Sequence, residues 1–137
     1  MTAQSTATRR EESLLELPSH PLGYVAALAA VVTGVIHLLL ASRVAGFDAT
    51  LAALFALNGL GFLTGTALYV SRYWRRELYL VAALYALVTI LALFVFQGFG
   101  VEAFFVEGSL NPIAVLSKAA EAVLATCAGV LYVQTSP

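Results

Sequence analysis

The residues most able to do chemistry are two opposite charges inside an apolar segment near the C-terminus. Lys118 and Glu121 interrupt the run PIAVLSKAAEAVLATCAGVLYV, which begins at Pro112. An ionisable side chain at the centre of a membrane helix costs roughly 2.5–3.5 kcal/mol on insertion scales, so such a residue indicates a partner or a function. A spacing of three places both side chains on one helical face, where they can pair directly and lower each other's cost of burial.

Further polar residues in the other apolar segments complete a candidate site. His37 shares a helical face with Thr33, and Tyr85 shares one with Thr89, because the members of each pair are four residues apart. We expect a polar cavity, open to the outside, that binds a proton, an anion or a small polar molecule. Its predicted lining is His37, Asn58, Tyr85, Thr89, Lys118 and Glu121. In the alternative, Lys118 extends to the lipid headgroups and Glu121 only neutralises it.

The composition of the chain indicates what must position these residues. Of the 137 residues, 61% are hydrophobic and 11% are charged, and the mean hydropathy is +0.89. A soluble domain is typically about 45–50% apolar and about 25% charged, so lipid must cover most of this chain. Four segments have the roughly 20 apolar residues that a bilayer crossing needs. They are approximately residues 22–42, 49–70, 77–97 and 112–133.

These segments predict an all-α fold, an integral membrane four-helix bundle with antiparallel up-and-down topology. The connections are short, and short connections make consecutive helices antiparallel neighbours. Residues 1–19 are predicted to form a polar cytoplasmic N-terminal segment, and residues 20–137 a single four-span domain. Period-two alternation is absent from the sequence, which argues against a membrane β-barrel.

The placement of arginines predicts the orientation in the membrane. Arg72, Arg75 and Arg76 lie in the connection of residues 71–76, the arginine loop, whereas the connections on the opposite side hold only Arg43. Cytoplasmic loops carry an excess of Lys and Arg. Both termini and the arginine loop are therefore predicted to lie on the cytoplasmic side of the plasma membrane, where the arginines form a positive anchor. At 1.5 Å per residue, the candidate residues of the first, second and fourth segments lie about 7–13 Å below the outer surface.

Small residues predict where the helices approach each other. Ala30 and Gly34 are four residues apart in the first segment, and Gly61 and Gly65 form a GxxxG pattern in the second. We expect both faces to be helix contacts inside the bundle, and a dimer seam is the alternative.

Three segments outside the spans carry local signals. Asn111 followed by Pro112 predicts a helix start, with Asn as the N-cap. The apolar connection of residues 98–111 predicts a short helix or half-turn that caps the outer end of the bundle. The run RREESLLEL, residues 9–17, predicts a short interfacial helix.

Signals for cofactors and enzymes are thin. Cys127 is the only cysteine, and the sequence has no HExxH, GxSxG or phosphate-cradling loop, so we expect no catalytic residues and no metal. No cofactor is expected. A bis-histidine haem needs two axial ligands, and because His20 lies near the opposite face, only an oligomer that supplies a second His37 could hold one. Eight acidic against seven basic residues argue against a nucleic-acid partner.

Four runs carry a resemblance to a known family: TGVIHLLL around His37, LNGLGFLTG, RRELYL from Arg75 to Leu80, and the span that contains Lys118. They cover most of the chain after Pro18. In these runs the chain resembles an uncharacterised family of small four-helix membrane proteins from haloarchaea. The resemblance implies an archaeal cell membrane and supplies no catalytic residues. The overall shape resembles DoxX-like four-helix proteins more weakly.

The sequence leaves three functions open. The first expectation is an accessory or structural subunit of a larger membrane complex, because the chain is small, has short loops and carries no enzyme motif. The second is a homo-oligomeric transporter, channel or small-ligand-binding protein that uses the outward-facing polar cluster. The third is a quinone- or lipid-linked membrane redox protein in which His37, Tyr85 and Glu121 move protons. In each case the bilayer is a partner, together with other membrane subunits or further copies of the chain.

Overall fold

Four long helices make up most of the computed structural model, which describes residues 13–136. The helices are α1 (Pro21–Val44), α2 (Ala49–Tyr69), α3 (Glu77–Gln97) and α4 (Pro112–Gln134). Each is long and apolar enough to cross a membrane. The all-α fold and the four predicted segments are therefore confirmed, and the helix boundaries differ from the predicted ones by at most two residues.

Short polar side chains set where two of the helices begin. The Asn111 side-chain oxygen accepts hydrogen bonds from the backbone N–H groups of Ile113 at 3.2 Å and Ala114 at 3.3 Å, both in the first turn of α4, which starts at Pro112. The Asp48 carboxylate caps α2 in the same way, at 2.9 Å. These caps satisfy N–H groups that the first turn of a helix leaves without partners. The predicted start of the fourth helix is thus confirmed.

Contacts between α1 and α2 run in opposite chain directions, as in an up-and-down bundle. Gly23 near the start of α1 lies against Tyr69 at the end of α2, and His37 near the end of α1 packs on Phe55 near the start of α2. The helix α4 packs along both α1 and α3, whereas α2 and α3 have few close backbone approaches. The bundle is therefore tighter around α1 and α4 than between α2 and α3.

A close contact between backbones joins Gly34 of α1 to Gly59 of α2. A Cβ atom at position 59 would lie 2.8 Å from the Gly34 carbonyl oxygen, and one at position 34 would lie 3.2 Å from that of Gly59. Gly34 is one of the four small residues expected at a helix contact, and it lies at such a contact. Ala30, another of the four, is buried in the core. The sequence did not single out Gly59, the partner of Gly34, because Gly59 belongs to no GxxxG spacing.

Of the GxxxG pair of α2, Gly61 lies at a contact with another helix and Gly65 does not. A Cβ atom at Gly61 would collide with the Tyr85 hydroxyl of α3, and the space around a Cβ atom at Gly65 is open. Both glycines line a cavity between α2 and α3. Because the backbones of α2 and α3 are far apart, the small residues of α2 leave a cavity between the two helices instead of forming a close helix contact.

The connection between α3 and α4 is ordered. It contains a 3-10 helix followed by a two-stranded hairpin, at Val101–Phe104, Phe105–Val106 and Ser109–Leu110. Ala103 is buried, and the ring of Phe104 packs edge-on against that of Phe94 at 5.8 Å. The short helix expected in this connection is therefore present, and the hairpin after it was not expected.

The segment before α1 is extended where an interfacial helix was expected. The backbone N–H of Glu16 donates to the Val70 carbonyl at 2.8 Å, and that of Arg72 donates to the Leu14 carbonyl at 3.0 Å. An isolated helix of nine residues is marginal, and pairing with the arginine loop satisfies backbone groups on both segments. The predicted helix is therefore wrong for residues 13–17, and residues 9–12 lie outside the described residues.

Replacing Gly59 with alanine tests the contact between α1 and α2. We expect Gly59→Ala to lower the free energy of unfolding by about 1–3 kcal/mol, because the added methyl group collides with the backbone of Gly34. The measurement is unfolding of the full chain by SDS titration, followed by circular dichroism. Gly129→Ala is the matched control, since its Cβ atom meets open space. Equal destabilisation of the two variants would contradict this packing.

Candidate functional site: a buried ionic cluster

The carboxylate of Glu121 is the centre of the site. This side chain on α4 is 0% exposed, and its two oxygens accept hydrogen bonds from three side chains. Thr33 Oγ1 donates to Oε2 at 2.5 Å, Ser117 Oγ donates to the same oxygen at 2.7 Å, and Lys118 Nζ donates to Oε1 at 2.6 Å. A buried charge is tolerated only when it is both paired and hydrogen-bonded, and Glu121 meets both conditions.

Helical spacing and small neighbours explain how these groups meet. Ser117 and Lys118 precede Glu121 by four and three residues, so the three side chains share one face of α4. Thr33 comes from α1, where it is fully buried. Most other buried residues of α1 are small, which lets α4 approach closely; they are Gly23, Ala26, Ala29, Ala30, Gly34 and Ala41.

His37 lies one turn beyond Thr33 on α1, and its hydrogen bonds assign its tautomer. Nδ1 is 2.8 Å from the Thr33 carbonyl oxygen and 3.2 Å from Thr33 Oγ1. A carbonyl oxygen only accepts, so Nδ1 carries a hydrogen and the lone pair of the neutral ring is on Nε2. Within residues 13–136 the hydrogen bonds of His37 involve Nδ1 alone. Phe55 and Phe62 pack against the ring, each at 5.9 Å.

A second polar group joins α2 and α3 to these residues. Tyr85 donates its hydroxyl hydrogen to the Asn58 carbonyl oxygen at 2.9 Å. The Thr89 hydroxyl lies 2.9 Å from the Tyr85 carbonyl oxygen and 3.3 Å from Asn58 Oδ1, and it can donate to either. Lys118 Nζ donates to the Thr89 carbonyl oxygen at 3.5 Å, a long bond. The structure therefore brings the six predicted site residues into one polar network.

Two residues of this network are absent from the predicted lining, Thr33 and Ser117. The sequence did place Thr33 on the same face as His37, but its bond to Glu121 crosses between helices and has no signal in the spacing. Ser117 lies four residues before Glu121, and this spacing could have identified it. We refer below to Thr33, His37, Ser117, Lys118 and Glu121 as the ionic cluster.

The cavity between α2 and α3 lies beside this network. Of the six predicted site residues, only Tyr85 lines it. The six predicted residues pack against one another. The cavity is lined by aromatic and small residues, whereas the sequence predicted a cavity lined by polar side chains.

The arginine loop is tied to the end of α4. Arg76 Nε donates to the Thr135 carbonyl oxygen at 2.6 Å and to the Tyr132 carbonyl oxygen at 3.2 Å, and its guanidinium lies 3.8 Å over the Tyr132 ring. The last carbonyls of a helix have no partners within the helix, so a cation there is favourable. Arg72 and Arg75 are exposed. Arg76 therefore stabilises the fold, a role that the arginine bias alone did not predict.

The positions of the histidines bear on haem and metal binding. His20 is the N-cap of α1, where its Nδ1 accepts from the backbone N–H of Leu22 at 3.0 Å. Along the helix it lies about 25 Å from His37. One chain therefore cannot supply two histidine ligands to a haem. In residues 13–136, no three His, Cys, Asp or Glu side chains come together as metal ligands.

Replacing Lys118 and Glu121 singly and together tests whether they form a coupled buried pair. We expect Lys118→Met to lower the free energy of unfolding by about 3–5 kcal/mol, because it leaves a buried carboxylate without its cation. The double variant Lys118→Met/Glu121→Leu should be more stable than the Lys118→Met variant, since no buried charge remains.

SDS titration of the full-length variants measures these differences. Glu77→Gln is the control, because Glu77 is an exposed carboxylate at the start of α3 and its loss should cost no more than about 1 kcal/mol. Additive effects of the two single substitutions would show that the charges do not depend on each other.

The chain belongs to a protein family of unknown function, DUF7475, which matches residues 8–132. No curated protein and no solved structure matches the chain. The membership agrees with the resemblance to an uncharacterised family noted from the sequence.

Proposed function

We propose that this member of a family of unknown function is a small membrane transport protein that moves protons through the ionic cluster. The supporting observation is the Thr33 hydroxyl, which lies within hydrogen-bond distance of both His37 and Glu121. A hydroxyl accepts and donates at once, so Thr33 can take a proton from one residue and release its own to the other. Ionisable residues within a membrane span commonly form such relays.

One step of the relay moves a single proton. The proton binds the lone pair of His37 Nε2, and Nδ1 releases its hydrogen to Thr33 Oγ1. Thr33 then releases its original hydroxyl hydrogen to Glu121 Oε2. The products are a neutral His37 protonated on Nε2, an intact Thr33 hydroxyl and a neutral Glu121. Release of the proton from Glu121 in the next step restores its ion pair with Lys118.

Polar groups on either side of the ionic cluster support a route across the bundle. His37 lies about 10 Å from the end of α1. Toward the arginine loop, Tyr85 lines the cavity, and the hydroxyls of Tyr69 and Tyr79 lie 3.2 Å apart at its far end.

The proposal includes an orientation in the membrane. We place the four helices across the cell membrane, with both termini and the arginine loop in the cytoplasm and His37 toward the outside. The lengths and hydropathies of the helices and the arginine bias support this orientation. The sequence resemblance supports an archaeal membrane, and the weaker likeness to DoxX-like proteins adds no further function.

A subunit of a larger complex is the second candidate. In α2 and α3 only 11% of the most apolar window is buried within the chain, against 39% in α1 and 33% in α4. Another membrane protein could cover these faces, and so could lipid acyl chains. The polar groups of Glu121 find their partners within one chain, however, which favours a site that acts without a second subunit.

Proton flux into liposomes tests the first candidate. The full-length chain is reconstituted with a pH-sensitive dye inside, and a potassium diffusion potential drives protons inward. We expect flux well above that of protein-free liposomes, and we expect Thr33→Val and Glu121→Gln to lower it at least about tenfold by breaking the relay. Thr126→Val is the matched control, because Thr126 is exposed on α4 and bonds only to the Ala122 carbonyl oxygen.

Two outcomes would overturn this proposal: a wild-type flux equal to that of protein-free liposomes, or full flux in the folded Thr33→Val variant. Native mass spectrometry of the chain extracted from its own membrane tests the second candidate. A mass that contains other protein chains would support the subunit, and a monomer or homo-oligomer would count against it.

A further inference from the structure

The cavity between α2 and α3 has a volume of about 150 Å³, and all four helices contribute to its walls. The described residues that line it present an apolar surface, because their polar atoms are bonded or covered. The hydroxyls of Tyr69 and Tyr79 bond to each other, and that of Tyr85 donates to the Asn58 carbonyl oxygen. Trp74 Nε1 is buried below the surface. The occupant that such walls favour is therefore hydrocarbon.

The cavity is elongated along the bundle. Its lining residues extend from Gly61 to Tyr69 in α2 and from Leu78 to Tyr85 in α3. At 1.5 Å per residue they cover about 10–12 Å, from the arginine loop toward the middle of the bundle. Lipid chains run in this direction when the four helices cross a membrane. An apolar cavity of about 150 Å³ stays free of water and accepts hydrocarbon, so part of one lipid chain fits here.

The cavity reaches the outer face of the bundle between α2 and α3. The other neighbouring helices pack along each other, whereas α2 and α3 have few close backbone approaches. Val81 and Tyr85 of α3 line the cavity and are also exposed on the surface of the chain. A lipid chain beside the bundle can therefore enter the cavity sideways, without passing through the bundle.

Two exposed arginines lie at the end of the cavity nearest the arginine loop. Trp74 lines this end, and Arg72 and Arg75 stand on either side of Trp74 in the chain. A guanidinium group binds phosphate oxygens through paired hydrogen bonds. Residues 71–76 contain no acidic residue, although the exposed carboxylates of Glu16 and Glu77 flank them. This end of the bundle thus suits a phosphate, with moderate selectivity for an anion.

We propose that the cavity and the arginine loop together bind one anionic phospholipid. One hydrocarbon chain occupies the cavity between α2 and α3, and the phosphate binds Arg72 and Arg75 beside it. A neutral apolar occupant would fill the cavity equally well but would not explain the arginines next to it. The proposal rests on the placement of the helices in a membrane given above, and it does not depend on proton transport.

Fluorescence of Trp74, the only tryptophan of the chain, reports on the cavity that it lines. The full-length protein is reconstituted in phosphatidylcholine bilayers with increasing fractions of phosphatidylglycerol whose brominated chains quench indole on contact. Phosphatidylcholine with the same brominated chains is the neutral comparison. We expect quenching by the anionic lipid to saturate, and to be half-maximal at a mole fraction at least about fivefold lower than for the neutral lipid, the effect of about one arginine at an anionic surface.

Arginine variants test recognition of the headgroup. In Arg72→Gln/Arg75→Gln, the two brominated lipids should quench at equal mole fractions, because the groups that bind the phosphate are gone. Arg43→Gln is the matched control and should keep the preference of the wild type, since Arg43 is exposed near the end of α1, at the opposite end of the bundle.

Cavity variants test the position of the chain. Gly65→Leu fills the cavity from α2 and Ala82→Leu fills it from α3, so both should remove the saturable quenching. Gly129→Leu should retain it, because Gly129 has open space around its Cβ position and does not line the cavity. Circular dichroism checks that the variants are folded.

Four results would overturn the assignment. Equal quenching of the wild type by both lipids would mean ordinary contact with the surrounding bilayer. No quenching by either lipid would mean that a second copy or another protein covers the cavity. Saturable quenching that persists in both folded cavity variants would place the chain elsewhere, and a preference that persists in the double arginine variant would place the phosphate elsewhere. None of these results depends on the proton-flux measurement, so the two proposals can fail separately.

Discussion

The buried carboxylate of Glu121 is the constraint on which much of the structure depends. A charge inside an apolar bundle needs a cation and hydrogen-bond donors, and no single helix can supply them all here. Ser117 and Lys118 come from the same helix, but the shortest hydroxyl bond comes from Thr33 on α1. Satisfying one carboxylate therefore fixes α1 against α4 at one height and in one rotation.

This constraint explains why α1 is lined with small residues. A hydroxyl group reaches across a helix interface only when the backbones are close, and the buried alanines and glycines of α1 allow that approach. The Gly34–Gly59 contact then places α2 on another side of α1, and the ring of His37 is held between Phe55 and Phe62 of α2. The packing that secures the charge thus also sets the surroundings of His37.

The interface between α2 and α3 is packed less closely than the others, and the cavity results from this packing. Tyr69, Trp74 and Tyr79 hold α2 and α3 apart near the arginine loop, and Gly61 and Gly65 provide no side chains to fill the space. The ionic cluster is closed and fully hydrogen-bonded around Glu121, whereas the cavity beside it is lined by aromatic and small apolar residues. One small bundle therefore contains two sites of opposite chemistry, which share Phe62 and Tyr85 as neighbours.

The sequence by itself determined the number, type and boundaries of the helices, because spans of this length must be continuously apolar and caps such as Asn111 act on adjacent residues. It also identified Lys118, Glu121 and His37, since charge in an apolar run is visible without a structure. It could not identify Gly59 as the partner of Gly34, the bond from Thr33 to Glu121, or the cavity at Gly65. These features depend on helix rotation and spacing, which arise from contacts between residues far apart in the chain. The helix predicted in the N-terminal segment was wrong for the same reason. The backbone of this segment bonds to Val70 and Arg72, which lie more than fifty residues away in the chain.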